Sequence, residues 1–431
     1  MRARHKFQGI QLVRLFRRLT TSNPFWVASG LILGAILELS FRAASARLLG
    51  PADFGQLTLL STLLLVTGTI ATLGLGNIVP RYLPIFVKEA GEKWKRFLSL
   101  SFRIAVVSGV LAGVGLLAAH EGIGWPPGQA LWLISLLIPL FVVSELIYAI
   151  NRGLHQTRRA MAQREVIRRG IPLLPVLMAF LIPEIRSLEA VLLAIGLGLI
   201  GSIYFGGRGM LHIINVPAND LPLRGILSFA VPLVLSTVLM QINGRLDVFI
   251  AAHNLSAKDL GVYGAALVLP QLLAMLPGVF TFTLLPHAAR LFKENEQQQV
   301  RVLFMRTTAM LCIFGIVPAG ALWIGGSKWL ALLFGNKYAA EVPIVEILAT
   351  ASFLLTVCGA TGVILLAAGR SRIYLLSDTI AILVGGSAQW WLSIKYGMLG
   401  LGYGVIVTAF VITLIRGCAV IRMLGLFNSR H

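Results

Sequence analysis

Long apolar runs dominate this chain: from Pro24 to Leu424, stretches of 18 to 25 nearly uncharged residues recur between short polar connections. Each can cross a hydrocarbon core of roughly 30 Å as a helix. In lipid the backbone must satisfy its own hydrogen bonds, so runs of this length are helices and not strands of an open sheet. Hydrophobic residues at 57% and charged residues at 13% leave too little polar surface to solvate a globular domain of 431 residues. The expected fold class is an all-α membrane protein of about twelve transmembrane helices.

The predicted spans are 24–48, 56–79, 97–119, 130–151, 167–183, 188–206, 226–250, 261–286, 302–325, 343–367, 373–394 and 400–423. Pro172 and Pro175 interrupt the fifth, and paired prolines in a short run mark a kinked helix beside protein or a cavity. A net charge of +20 would point to nucleic acid in a soluble chain, but here the cations fall between the runs. With the N-terminus inside, the cytoplasmic segments hold 26 Lys and Arg and the opposite ones five. That asymmetry orients helices, and it puts both termini in the cytoplasm. The densest block is Arg152, Arg158, Arg159, Arg164, Arg168 and Arg169, which ordinary inside anchoring explains, with docking of anionic lipid or of another protein as the alternative. The AASA at 43–46 mimics a signal-peptide cleavage site, yet the run before it is too long for one and holds Glu38 and Arg42.

An internal repeat is visible. RAASARLLGPADFGQLTLL from Arg42 is echoed by RLDVFIAAHNLSAKDLGVYGAAL from Arg245, each with a deep arginine and an Asp-x-Gly turn, Asp53 to Gly55 and Asp259 to Gly261. Six spans separate the copies, which predicts two parallel six-helix lobes with a binding site between them. The expected division is a basic arm over 1–23, an N-lobe over 24–215 and a C-lobe over 216–431.

A charge near a helix centre costs about 2.5 to 3.5 kcal/mol on insertion scales, so each one needs a partner, a cavity or a function. Gly30, Gly34, Glu38 and Arg42 descend the first span at spacing four, small residues for close packing followed by an acid that can reach an arginine. In the seventh span Asn243 and Asp247 share a face with Ser236 and Pro232, whereas Gln241 and Arg245 take nearly the opposite face. Tyr374, Asp378, Gly385 and Gln389 form a polar stripe in the eleventh span, and Glu145 and Tyr148 sit three apart in the fourth. Glu145 and Asp378 are candidate proton or cation sites and equally candidate helix-packing acids. Arg47, Arg81 and Arg103 lie nearer span ends, where snorkelling is the simpler account. The chain has no Walker A loop, HExxH, CxxC or GxSxG, so no enzyme chemistry, cofactor or metal is expected. Cys312, Cys358 and Cys418 lie singly inside apolar runs, as packing residues do.

ARLLGPADFGQLTLLSTLL after a deep arginine, followed by LGLGNIVPRYLP at 73–84, resembles the polysaccharide transporter or O-antigen flippase family of the multidrug/oligosaccharidyl-lipid/polysaccharide exporter superfamily. The resemblance implies two six-helix lobes around a central cavity that opens alternately to either side of a bacterial inner membrane. It implies an undecaprenyl-diphosphate-linked oligosaccharide as substrate, with membrane lipids and, as further partners, glycosyltransferases or a polymerase. Cavity cations of such proteins meet the diphosphate and sugars; here Arg42 and Arg245 fit, with Glu38, Asn243 and Asp247 beside them. The competing readings are a cation-coupled multidrug exporter of the same superfamily and a membrane scaffold for polysaccharide assembly without a transported substrate.

Overall fold

The structure is a computed structural model that describes residues 23–89, 92–124, 130–210, 234–235, 237–274, 276–339 and 343–425. The basic arm through Arg18, Arg224 in the connection before the predicted seventh span, the start of that span with Pro232 and Ser236, and the terminal Arg430 lie outside the described residues. Every secondary-structure element among the described residues is helical. The chain divides into two compact units: 1–41 with 67–234, and 42–66 with 235–431.

The first helices are α1 (Asn23–Leu49) and α2 (Pro51–Ala71), each shared between the units. Unit 1 continues with α3 (Leu75–Lys88), α4 (Lys93–Ile123) and α5 (Leu131–Gly153). The predicted second span breaks where Leu73 and Gly74 take positive φ, 48° and 76°. Ser108 of α4 donates to the Ala71 carbonyl at 2.7 Å, satisfying a group that the break would otherwise strand. Pro80 and Pro84 then sit inside α3. The α4–α5 pair is antiparallel and close: a Cβ on Gly109 would lie 2.8 Å from Pro139 Cα, and one on Gly113 would lie 2.5 Å from the Ser135 carbonyl. Such contact through small residues is how helices associate where no hydrophobic force separates protein from lipid.

After α5 the chain is broken up as the paired prolines predict. Helix α6 (Thr157–Met161) runs into a π-helical turn (Ala162–Ile167) and α7 (Arg168–Gly170), and beyond Pro172 only a short α8 (Leu173–Met178) remains. Helix α9 (Leu188–Gly207) closes the described part of unit 1, its N-terminus capped by Ser187, whose hydroxyl accepts from the Ala190 N–H at 3.2 Å.

Unit 2 holds α10 (Leu246–Asn254), α11 (Ala257–Ala274), α12 (Leu276–Lys293), α13 (Gln297–Phe334), α14 (Ile344–Ala367), α15 (Ser371–Ile380), a second π turn (Ala381–Gly385) and α16 (Gly386–Leu424). The repeated Asp-x-Gly motif acquires a physical reason here. The two copies cross: Gly261 abuts the Pro51 carbonyl, and Gly55 abuts the Ala257 carbonyl and the Gly261 N–H. Each glycine lets the first turn of its helix lie on the backbone of the other. Beside this crossing, Phe54 stacks edge-on with Tyr338 at 5.8 Å, and Tyr338 donates to the Ala46 carbonyl at 2.8 Å. Burial and the neighbouring Asp53 charge push the Tyr338 phenol up.

Eight described helical stretches, not twelve, are long and apolar enough to cross a membrane by length and composition. The differences are local. The fifth predicted run is broken by its prolines, the seventh lies partly outside the described residues, and the eighth is described as α11 and α12 on either side of Met275, which lies outside the described residues. The eleventh and twelfth fall in one stretch, Ser371–Leu424, that turns back at Gly397, where φ is 58°. Glycines there pair across a helical hairpin: Gly385 with Thr408, Gly404 with Gln389, Gly400 with Leu392. Helix α13 instead bends at Gly325, and the Trp329 indole donates to the Ala321 carbonyl at 3.1 Å beside the kink.

Candidate functional site

In unit 1 the π turn and α7 bring a row of arginines onto α5. Arg168 Nη1 meets Glu145 Oε1 at 2.5 Å, and Arg164 Nε lies 3.8 Å from the same oxygen. Glu165, whose side chain is 5% exposed, lies 3.2 Å from Arg169 Nη2 and 3.7 Å from Arg164 Nε. Aromatic faces complete the shell: Arg164 lies 4.6 Å and Arg152 5.5 Å over the Tyr148 ring, and Arg168 lies 5.4 Å over Phe141. Arginine suits such a place because its planar fork pairs with a carboxylate and stacks on a ring at once. On this side of α5, four guanidiniums surround two carboxylates.

Space for the cluster comes from α1. A Cβ on Gly30 would lie 3.0 Å from Met161, and one on Gly34 would lie 2.7 Å from the Glu165 carboxylate, so the predicted small-residue stripe packs against the end of α6 and the π turn. Below it, Asn151 donates to Gln163 Oε1 at 2.9 Å and to the Gly206 carbonyl at 3.2 Å, while Gln163 donates to the Ser144 carbonyl at 3.1 Å. Ser144 and Ser202 share a hydrogen bond of 2.8 Å. These buried polar groups bond to one another, leaving Asn151 Oδ1 as the atom of the network with no partner among the described residues.

Unit 2 carries a second cluster, again beside a π turn. Arg416 Nη2 meets Asp378 Oδ1 at 2.6 Å, Arg416 Nε donates to Ser377 Oγ at 2.8 Å, and the guanidinium lies 3.8 Å over the Tyr374 ring. Asn243 donates to the same Asp378 oxygen at 3.3 Å. Gly362 of α14 makes room, since a Cβ there would lie 3.1 Å from Tyr374. The rest of the predicted stripe in the eleventh span is used for packing: Gln389 donates to Thr408 at 2.8 Å across the hairpin. The first π turn immediately precedes the predicted fifth span and the second falls inside the eleventh, each next to an acid–arginine pair. Such turns often mark functional positions because they re-aim side chains.

The structure thus brings Asn243 to Asp378, Asp247 to Tyr263 (2.8 Å from the phenol hydroxyl) and Glu145 to Arg168. Glu38 and Arg42 lie one turn apart on α1, both partly buried. Arg245 occupies the N-cap position of α10, two residues before Asp247. Arg47 donates to the Leu333 carbonyl at 2.9 Å and the Leu332 carbonyl at 2.5 Å, closing the C-terminal end of α13. Arg81, 5.9 Å from the Tyr82 ring, and Arg103 are exposed. Sequence reasoning missed Arg416, although a lone charge inside an apolar run was a signal. It also grouped Arg164, Arg168 and Arg169 with the surface anchors; their carboxylate partners are visible only in three dimensions.

Residues 45–343 match a family model described as polysaccharide biosynthesis protein. The chain belongs to that family. A Salmonella typhi protein bearing the provisional name O-antigen transporter is 22% identical, over 96% of this chain and 98% of its own length. The fold is that of the multidrug/oligosaccharidyl-lipid/polysaccharide superfamily. A multidrug resistance transporter of the MATE family in an inward-facing conformation superposes with a TM-score of 0.75 at 15% identity, covering 92% of this chain and 96% of that one. The lipid II flippase MurJ, inward closed, gives 0.72 at 14% identity, with coverages of 91% and 87%.

Proposed function

We propose that this family member flips a polyprenyl-diphosphate-linked oligosaccharide, the class that includes undecaprenyl-diphosphate-linked O-antigen or exopolysaccharide units, from the cytoplasmic to the outer leaflet by alternating access. The observation that carries this reading is the match of residues 45–343 to the polysaccharide biosynthesis family, supported by the excess of arginine over carboxylate around Glu145 and Glu165. A site rich in arginine suits a diphosphate, which guanidiniums recognise through paired hydrogen bonds. A cation-coupled drug exporter needs a deep acid able to take up and release a cation, whereas Glu145 and Asp378 are each engaged by an arginine at 2.5 and 2.6 Å. The O-antigen transporter name of the Salmonella relative points the same way.

In this reading Arg42 and Arg245 meet the diphosphate, Glu38, Asn243 and Asp247 position sugar hydroxyls, and Glu145 and Asp378 hold helices together. Residues 24–215 and 216–431 act as the moving lobes, and both termini are cytoplasmic. A cytoplasm-negative potential favours outward movement of an anion by about 2.3 kcal/mol per charge per 100 mV, so no nucleotide motor is required. The polyprenyl tail stays in the bilayer because each buried methylene contributes roughly 0.8 kcal/mol. Glycosyltransferases and a polymerase are the expected suppliers and users of the substrate.

The test is reconstitution of the full chain in proteoliposomes with a fluorescent polyprenyl-diphosphate oligosaccharide and a set potential. The expected result is translocation that accelerates with inside-negative potential and fails in Arg42→Ala and Arg245→Ala. Export of cationic dyes in place of the glycan would identify the exporter instead, and absence of all transport would leave the scaffold reading.

A further inference from the structure

Unit 1 also carries a groove of about 970 Å³ on the α1 side of the α5–α6 connection. Trp26 and Leu33 of α1, Arg158 and Arg159 of α6, Val166 of the π turn and Phe205 of α9 line it. Its volume is at the upper end of the roughly 300 to 1,000 Å³ of small-molecule pockets. Trp26 and Leu33 are two turns apart on α1, about 10 Å of helix rise, so the groove has length as well as volume. One end is basic. Arg158 lies 4.4 Å over the Trp26 ring, and Arg159 donates to the Phe205 and Arg208 carbonyls at 3.1 and 2.9 Å. The other end, at Leu33 and Val166, is apolar.

We infer that this groove holds an anionic phospholipid, its phosphate at Arg158 and an acyl chain along Leu33 and Val166. Charge complementarity is the first argument. Among the described residues the lining contains no carboxylate, and the two arginines are positioned by a ring and by backbone carbonyls, so no described acid neutralises either charge within the groove. Shape is the second: a basic end joined to an apolar trough matches a head group with its chain. Position is the third. Transported head groups bind near the membrane midplane, whereas this groove opens beside the first turns of α1, where tryptophan and arginine sit at head-group level. Basic pockets between helices at that level bind anionic lipid head groups. The inference is independent of the flipping assignment, since a resident lipid would serve any membrane role of the chain.

The test uses the purified, delipidated full-length chain in detergent and native mass spectrometry, with phosphatidylglycerol and phosphatidylethanolamine added separately. Wild type is expected to retain phosphatidylglycerol in preference to phosphatidylethanolamine. Arg158→Gln should weaken phosphatidylglycerol retention about fivefold, the equivalent of the roughly 1 kcal/mol that one cation contributes at an anionic surface. Leu33→Trp, which fills the trough without changing charge, should weaken it as well and carries the test alone if Arg158→Gln does not fold. Leu197→Trp, on an exposed part of α9, should bind as wild type does. Equal retention of both lipids by wild type, or undiminished phosphatidylglycerol retention by the folded groove variants, overturns the inference. Displacement of phosphatidylglycerol by an equimolar polyprenyl diphosphate also overturns it, because the groove would then be an entry for the substrate.

Discussion

Substituting Arg416 by leucine isolates the buried pair in unit 2. The side chains of Arg416 and Asp378 are 11% and 6% exposed, so the variant would leave a carboxylate in the interior with only the 3.3 Å bond from Asn243. Removing one partner of a buried pair costs about 3 to 5 kcal/mol, because the remaining charge keeps its desolvation penalty without its compensation. Loss of the stacking on Tyr374 at 3.8 Å adds roughly 0.5 to 2 kcal/mol. Arg416→Leu should therefore destabilise unit 2 by at least about 3 kcal/mol. Asp378→Leu should cost a similar amount, since it strands the guanidinium. The double variant removes both charges, and replacing a buried pair by apolar residues is often neutral or stabilising. The four proteins, titrated with sodium dodecyl sulfate in mixed micelles and followed by tryptophan fluorescence, give a double-mutant cycle. The expected result is a coupling energy of about 3 kcal/mol, with the double variant more stable than either single one. Additive losses would refute the reasoning, and the cluster would then be two independent sites.

Other outcomes follow from the same geometry. Gly261→Ala forces a methyl into the Pro51 carbonyl and should cost about 1 to 3 kcal/mol or more, whereas Gly115→Ala, with open space around it, should leave the unfolding midpoint unchanged. Arg47→Ala strands the Leu332 and Leu333 carbonyls, so about 1 to 3 kcal/mol of stability should be lost, with hydrogen exchange rising first at the end of α13. For Tyr338 the folded phenol is raised above its unfolded value, so the folded state holds its proton while the unfolded state releases it. Its contribution is therefore complete below an unfolded pKa of about 10 and lost as pH rises beyond that. Tyr338→Phe should flatten this alkaline decline in the unfolding midpoint, at the cost of roughly 1 kcal/mol from the lost bond to Ala46.

Much of the architecture is legible in one dimension. Run length and hydropathy specify helices, Pro172 and Pro175 mark the broken fifth run, and the spacing of Gly30 and Gly34 marks a face for close packing. These are local properties, because the bilayer tests each segment separately for length and polarity. The repeated Asp-x-Gly motif was also visible, but not that its two glycines face each other across a helix crossing. What only the tertiary structure decided is which charges meet. Glu145 finds Arg168 23 residues away, Asp378 finds Arg416 38 away, and Asn243 reaches Asp378 across 135. Hydropathy records the cost of placing a charge in a helix, and so flags Asp378. The compensation depends on where distant helices cross and on how a π turn rotates the side chains that follow it, and neither is contained in the pattern of any single run.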